Sequence, residues 1–213
     1  MAKTRTKQRD RRQEILEAAS QVITDRGLAE TRIQDIAERC GVSPGLILYY
    51  FDSKDRLLAE ALTHANDQFY LRVTRELRRM PKASDRLDRL IQLSVPGLLP
   101  EYALLDEWAL WLEIWVRALR DPQLAKDREA LDRRWVQSIA EVIRYGRQTG
   151  ELSPDPHDAD DLAMQFGALV DGLAIQVLLN DTVMSPKRMY DICKDAAGRL
   201  IGFDGAVASP ARA

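Results

Sequence analysis

The chain contains few histidines and cysteines, and its many carboxylates are scattered rather than grouped as in a catalytic site. Among its 213 residues there are two histidines, His64 and His157, and two cysteines, Cys40 and Cys193. The sequence has no glycine-rich phosphate loop and no spacing of His, Cys, Asp or Glu that matches a metal site. Both cysteines lie on apolar helical stripes, which predicts small buried side chains in a reducing compartment. We therefore predict no catalytic residue, no metal and no cofactor.

The most specific spacing lies in the run TRIQDIAERCGVSPGLILYYFDSK at positions 31–54. Thr31 and Gln34 have the spacing of a capping box, which predicts a helix that begins there and ends at the glycine before the turn. Ser43 is predicted to cap a second helix, with Pro44 at its first position. Two short helices joined by so tight a turn form a helix-turn-helix, a motif that contacts DNA.

The second helix of this motif divides into an inner and an outer face. Spacing directs Ile47, Tyr50 and Phe51 inward. The residues predicted to face DNA are Pro44, Gly45, Leu46, Leu48 and Tyr49. Because none of them is Arg, Asn or Gln, we expect sequence preference to depend on thymine methyl groups, on DNA shape, on the basic N-terminal arm, or on Arg32 and Gln34. The alternative is that the two leucines only pack against neighbouring helices.

This motif resembles the DNA-binding domain of the tetracycline-repressor (TetR) family. The matching positions are Thr31, Ile36, Ala37, Gly41, Val42, Ser43, Gly45, Ile47, Tyr50, Phe51, Ser53 and Lys54. The resemblance implies that Thr31, Tyr49 and Lys54 contact DNA phosphates, with Lys54 at a helix N-terminus that favours an anion. Leu48 departs from the pattern, since many members have a phosphate-binding tyrosine there. For Lys54 the alternative is a solvated surface lysine.

The distribution of charge also differs along the chain. Residues 1–56 contain 11 Lys and Arg against 9 Asp and Glu, a net charge of +2, whereas the remaining residues contain 20 against 24, a net charge of −4. The first twelve residues are strongly basic, which predicts either an arm that contacts phosphate or a solvated tail. No segment approaches the ~20 apolar residues of a membrane span, and the N-terminus lacks the apolar run of a signal peptide. We expect a cytoplasmic protein without a membrane partner.

Helical periodicity continues through the rest of the chain without a convincing alternating strand. It predicts an all-α fold of about nine helices. A three-helix DNA-binding domain, 1–52, is expected to precede a ligand-binding and dimerisation domain, 53–203, and a disordered tail, 204–213.

The second predicted domain contains a tryptophan-rich helix and the run FGALVDGLAIQ. It is similar to the ligand domain of the choline-responsive betaine repressor (BetI-type) subfamily. The tryptophan-rich helix predicts either plain core packing or a ligand pocket, whose candidate residues are Trp108, Trp111, Trp115, Trp135 and Phe166. An apolar or a cationic small molecule fits such a pocket, the cation if Glu107, Glu113 or Asp171 faces it.

Small residues near the C-terminus favour close pairing of helices. The predicted dimer interface contains Gly167, Val170, Gly172, Ile192 and Ala196, and the alternative is an internal core of the same residues. One short recognition helix contacts few bases, so a palindromic site bound by two copies is expected. The sequence thus predicts a homodimeric, ligand-responsive repressor that a small molecule releases from double-stranded DNA. The alternative classes are an enzyme and an all-α interaction module without DNA binding.

Overall fold

A computed structural model of the protein describes residues 2–27, 30–99, 104–152 and 157–202. In these ranges the chain forms nine α-helices and no strand, which confirms the all-α prediction. The helices are α1 (Ala2–Arg26), α2 (Ile33–Cys40), α3 (Pro44–Phe51), α4 (Lys54–Arg79), α5 (Ala83–Ser94), α6 (Leu104–Ala118), α7 (Pro122–Thr149), α8 (Ala159–Leu178) and α9 (Pro186–Ile201). The predicted tail, 204–213, lies outside the described residues, as do the side chains of residues 2–9, Glu107 and Glu113.

The first helix is longer than the sequence pattern predicts. Its helical backbone begins at Ala2 and includes the basic N-terminal segment, which the sequence predicted as an arm or a solvated tail. This segment contains neither glycine nor proline and is rich in Lys, Arg and Gln, which are good helix formers. Its apolar periodicity begins only at Ile15, and periodicity alone therefore places the start of the helix too late.

The helices divide into two compact units. The first contains Met1–Arg72 and Leu110–Arg128, and the second contains Val73–Ala109 and Glu129–Ala213. The boundaries between the units fall within α4, α6 and α7. The predicted domain boundary at 52/53 instead coincides with the short connection between α3 and α4.

The core of the first unit holds the helix-turn-helix together. Its fully buried side chains come from α1 to α4 and include Ile15, Ala19, Ile36, Ile47, Phe51, Leu57, Leu58 and Ala61. Ile114 of α6 and Leu124 of α7 belong to the same cluster, and Trp111 packs against it. Cys40 is half-buried at its edge, where its thiol donates to the carbonyl of Ile36 at 3.0 Å. Each fully buried large aliphatic side chain contributes roughly 1.5–3 kcal/mol. The motif is therefore built on a rigid support.

The second unit has its own core, in which α9 packs against both α8 and α5. By length and composition α8 is apolar enough to cross a membrane. Nine of its residues are nevertheless buried inside the protein, as expected for a core helix. Cys193 on α9 is fully buried, as predicted, and burial raises the pKa of its thiol to about 12.

The turn between α4 and α5 is fixed by the end of α7. The Glu151 carboxylate accepts hydrogen bonds from the backbone N–H groups of Ala83 at 2.8 Å and Ser84 at 3.2 Å. These bonds satisfy the N-terminal donors of α5 and lower the pKa of Glu151. One turn earlier, a Cβ at Gly146 would lie 2.9 Å from the Leu152 side chain. An added side chain at Gly146 would therefore force Leu152 and Ala83 to shift.

Candidate nucleic-acid interface

The turn between α2 and α3 forms as its residues predict. Gly41 ends α2 with a φ of 65°, a left-handed conformation that glycine adopts without strain. Ser43 caps α3, since its hydroxyl oxygen accepts from the backbone N–H of Leu46 at 3.3 Å, and Pro44 is the first residue of the helix. This geometry fixes α3 relative to α2 and determines which of its side chains face outward.

The predicted inner face of α3 is confirmed, and the predicted outer face is exposed at every position except Leu46. Ile47 and Phe51 are buried, and Tyr50 packs half-buried against the core. Pro44, Gly45, Leu48 and Tyr49 are exposed, while Leu46 is half-buried. Leu48 is 42% exposed and Tyr49 is 72% exposed, so both side chains leave apolar surface open to a partner.

The Tyr49 ring is held in a defined orientation. It lies edge-on to the ring of Tyr50, with centroids 5.6 Å apart and planes at 84°. Since Tyr50 is itself anchored against the core, this contact restricts the Tyr49 ring while leaving the side chain mostly exposed.

The start of α2 differs from the predicted capping box. Thr31 is fully buried, and its hydroxyl donates to the carbonyl of Gly27 at 2.7 Å. The helix is capped one residue later, where the backbone N–H of Arg32 donates to the Asp35 carboxylate at 3.1 Å. The proposed box between Thr31 and Gln34 is therefore wrong. Because the Thr31 side chain is buried and already bonded, it is not exposed for the phosphate contact that the family resemblance implied.

Two cations of the helix-turn-helix region, one before α2 and one shortly after α3, are available for phosphate. Arg32 and Gln34 are exposed at the start of α2, and Lys54 is the first residue of α4. The Ser53 hydroxyl caps α4 by accepting from the backbone N–H of Arg56 at 3.2 Å. No ion pair joins Arg32 or Lys54 to another residue of the described ranges. A lysine at a helix N-terminus combines its own charge with the free N–H groups of the first turn.

A support for α3 that the sequence did not reveal connects three helices. The Arg12 guanidinium of α1 stacks over the Phe51 ring at the end of α3, 4.7 Å from its centroid. Arg12 also pairs with Glu60 of α4, which accepts from Arg56 at 3.2 Å as well. No local spacing relates residues 12, 51 and 60, so only the folded chain brings them together. The cluster orients the C-terminal end of α3.

Comparison with known proteins agrees with this geometry. Residues 15–61 match the family model "Bacterial regulatory proteins, tetR family", and residues 83–202 match "BetI-type transcriptional repressor, C-terminal". The chain belongs to the TetR family. It is accordingly a ligand-responsive DNA-binding transcriptional regulator and not an enzyme.

Individual relatives of this TetR-family regulator extend over most of its length. The transcriptional regulator BetI of Proteus mirabilis (strain HI4320) is 31% identical over 177 residues, which are 82% of this chain and 84% of that protein. A Saccharomonospora viridis regulator, solved in complex with choline, is 36% identical with a TM-score of 0.73, and the match covers 87% of this chain and 94% of that one. A Rhodococcus TetR-family regulator is 30% identical with a TM-score of 0.71, covering 90% and 98% of the two chains.

The five candidate pocket residues of the regulator are divided between its two units. Trp111 and Trp115 belong to the first, and Trp108, Trp135 and Phe166 belong to the second. The Trp108 indole donates to the carbonyl of Ser94 at 3.0 Å, which satisfies its N–H. Phe166 is fully buried, as a core residue would be.

Asp171 of α8 has an unusual environment for a carboxylate. It is largely removed from solvent, and this burial, together with the charge of Asp132 on α7, raises the pKa of Asp171 to about 6. One turn before it on α8, a Cβ at Gly167 would stand 3.9 Å from the indole Nε1 of Trp135. The sequence identified Asp171 as a candidate but gave no means of finding Asp132.

The predicted dimer residues differ in where their side chains point. Gly167, Val170 and Ala196 are buried inside the second unit, whereas Gly172 is exposed and Ile192 is half-buried. The prediction placed all five in one interface, and three of them are instead core residues. The sequence could not distinguish these positions, because α8 is apolar around most of its circumference.

Proposed function

We propose that this regulator is a repressor that binds a palindromic operator as a homodimer in the bacterial cytoplasm. The observation that supports it most directly is the outward face of α3, on which Gly45, Leu48 and Tyr49 are exposed. Arg32 at the start of α2 and Lys54 at the start of α4 are available for phosphate. A single recognition helix contacts few base pairs, so two copies on half-sites about 34 Å apart are needed for specificity.

Titration of a labelled promoter duplex against salt tests the DNA contacts. Lys54→Ala should weaken binding to all duplexes and reduce the slope of log K against log salt by about one unit, as for one lost phosphate contact. Lys126→Ala is the matched control, since Lys126 is an exposed lysine on α7 of the same unit. An unchanged slope would remove Lys54 from the interface, and the absence of any sequence preference would contradict the repressor itself.

We assign the dimer contact to an outward stripe of α8. Its exposed or half-exposed residues follow at three- and four-residue spacing and are Met164, Ala168, Gly172, Ile175 and Leu179. A side chain at Gly172 would meet nothing within 4 Å inside the protomer. Since glycine is unfavourable within a helix, a glycine without an internal purpose supports close approach of a helix from a second copy.

The proposed effector is a small quaternary ammonium cation such as choline. One support is the Saccharomonospora viridis regulator, which is 36% identical and holds choline. The other is the pair of carboxylates, Asp171 and Asp132, in the same part of the second unit as the indole of Trp135. Carboxylates stabilise a cation by charge, and an aromatic ring stabilises it through its electron-rich face. This combination favours the cationic over the purely apolar effector.

Release of DNA would follow from a shift between two conformations. The effector would favour a spacing of the two recognition helices that does not fit successive major grooves. Because coupling between two sites is one free energy, operator DNA must weaken choline binding by the same factor as choline weakens DNA binding. Unequal factors, or simultaneous tight binding of both, would contradict this scheme.

The pH dependence of choline binding tests the assigned site. A bound cation stabilises the ionised form of Asp171, so choline affinity should rise as the pH increases through about 6. In isothermal titration Asp171→Asn should lose most of the affinity and the pH dependence, whereas Asp161→Asn, an exposed position on the same helix, should keep both. Unchanged binding by Asp171→Asn would place the effector elsewhere. Absence of choline binding with intact operator binding would remove the effector but not the repressor.

A further inference from the structure

The outward face of α3 offers DNA very few hydrogen-bonding groups. Gly45, Leu48, Tyr49 and Asp52 follow at three- and four-residue spacing and are all exposed. The polar groups among them are the Tyr49 phenol and the Asp52 carboxylate, and Asp52 lies at the C-terminal end. The N-terminal residues of a recognition helix are those that reach base edges. On this helix they are a glycine and, one turn later, a leucine.

Gly45 has no purpose inside the protein that would require a glycine. Its backbone is not in the left-handed region, and a Cβ at this position would meet nothing within 4 Å. Alanine has the higher helix propensity and would fit. The space next to Gly45 is therefore open to a molecule that approaches from outside. The Leu48 side chain, on the same face of the helix, is 42% exposed.

The chemistry of the major groove offers one group that suits an exposed leucine. Each base pair presents a distinct pattern there, and thymine is identified by its 5-methyl group, which makes apolar contacts. Removing one methyl-sized group from water corresponds to roughly a fourfold change in an equilibrium constant. A leucine that covers such a methyl in both half-sites would therefore produce a measurable preference without any hydrogen bond.

We infer that Leu48 is a specificity-determining residue that packs against the 5-methyl group of a thymine in each half-site. The space next to Gly45 lets α3 lie close enough to the bases for this contact. The inference rests on the proposed function, since it requires an operator, but it makes a separate claim about how that operator is recognised.

The test begins with duplexes selected from a randomised library by the full-length protein. In a selected duplex each dT is replaced singly by dU, which removes only the methyl group, and affinity is measured by fluorescence anisotropy. At one or two positions in each half-site, dU should weaken the wild-type protein by roughly three- to fivefold. Leu48→Ala should bind the dT duplex correspondingly less tightly and should not distinguish dT from dU there.

Two further variants distinguish loss of the contact between Leu48 and thymine from damage to the fold. Leu71→Ala removes another exposed leucine, 49% exposed on α4 of the same unit, and should keep the wild-type dT-to-dU ratio. Leu48→Met keeps an apolar side chain and should also preserve the ratio, which excludes loss of the fold as the cause.

The outcomes distinguish the two proposals. If the selection enriches no sequence, the proposed operator-binding function fails. If a sequence is enriched but dU has no effect, or Leu48→Ala retains the wild-type ratio, the assignment of Leu48 is overturned while DNA binding stands. If Tyr49→Phe rather than Leu48→Ala removes the ratio, the preference comes from the phenol and the inference is equally overturned.

Discussion

The outward faces of α3 and α8 contain the same kind of residues, although we assign them to different partners. Each has a helical glycine, Gly45 or Gly172, at which a side chain would meet nothing within 4 Å, next to exposed apolar side chains. The face of α3 belongs to an eight-residue helix that has no basic residue of its own but is followed closely by Lys54, the first residue of α4. By contrast, α8 extends over 20 residues and has no lysine or arginine within it or within six residues of either end. The neighbouring charge and the helix length separate a DNA-facing surface from a helix-pairing one.

A third helical glycine, Gly146, differs from these two because its neighbours inside the protein leave little space for a side chain. A Cβ at Gly146 would lie 2.9 Å from the Leu152 side chain and 3.0 Å from the Cβ of Ala83. Neither Gly45 nor Gly172 has such a neighbour. An added side chain should therefore lower the stability of the fold at Gly146, disturb dimerisation at Gly172 and weaken DNA binding at Gly45. Each of these effects can be measured separately.

The largest expected effect is at the outward face of α8. Gly172→Trp should prevent close pairing and yield monomers, because a large ring cannot fit where two helices meet. Loss of the second half-site contact should weaken operator binding by about 100-fold or more. Light scattering and anisotropy measure the two effects. Glu141→Trp, which adds the same ring at an exposed position of α7, should remain dimeric. A dimeric Gly172→Trp would place the interface on another surface.

The next effect concerns the interior glycine. Gly146→Ala should lower the free energy of unfolding by about 1–3 kcal/mol, because the added methyl group overlaps Leu152 and Ala83. Urea unfolding of the two variants gives the comparison directly. Gly172→Ala should instead stabilise the protomer fold by about 0.4–1 kcal/mol, measured under conditions in which the dimer is dissociated. Equal stabilities of the two variants would show that the close contact at Gly146 relaxes without cost.

A smaller effect of opposite sign is expected on α3. Gly45→Ala should raise the free energy of unfolding by about 0.4–1 kcal/mol, because alanine fits the helical backbone and restricts the unfolded chain. It should nevertheless weaken specific operator binding, since the added methyl group fills the space that we assign to DNA. A variant that is more stable and binds the operator as tightly as the wild type would remove Gly45 from the interface.

The smallest effect is at Glu151, whose carboxylate binds the N-terminal N–H groups of α5. This carboxylate has a pKa below the ordinary 4.5. A carboxyl group with a lowered folded-state pKa contributes stability above its unfolded pKa and loses it as the pH falls. Glu151→Gln should therefore melt slightly below the wild type near neutral pH, and the difference should shrink as the pH falls below about 4.5. A difference that is constant with pH would show that the carboxylate charge is not involved.

The helix-turn-helix was predictable because its determinants are local. Gly41 ends one helix, and Ser43 and Pro44 begin the next within three residues, so no distant contact is needed to specify the turn. The same locality explains the one error there. Both Thr31 with Gln34 and Arg32 with Asp35 have capping spacing, and the carbonyl of Gly27 binds the threonine hydroxyl and decides between them.

The helices of the second unit could be predicted from the sequence, but which of their faces are buried and which are exposed could not. Small and apolar residues surround most of α8, so periodicity does not tell which side meets the protein's own core. Packing against neighbouring helices buries Gly167 and Val170 and leaves Gly172 exposed. The candidate pocket could not be predicted for the same reason. Its residues come from α6, α7 and α8, and local spacing relates only the residues within α6.

The sequence by itself determined the all-α class, the position of the recognition helix and the inner and outer faces of α3. These features depend on spacing within one or two helical turns, where neighbouring side chains define the geometry. Only the tertiary structure decided that Thr31 is buried, that Arg12 and Glu60 orient α3, and that Asp132 lies near enough to Asp171 to raise its pKa. The last two depend on residues far apart in the chain, which only folding brings into contact, and the burial of Thr31 depends on packing that capping spacing does not encode.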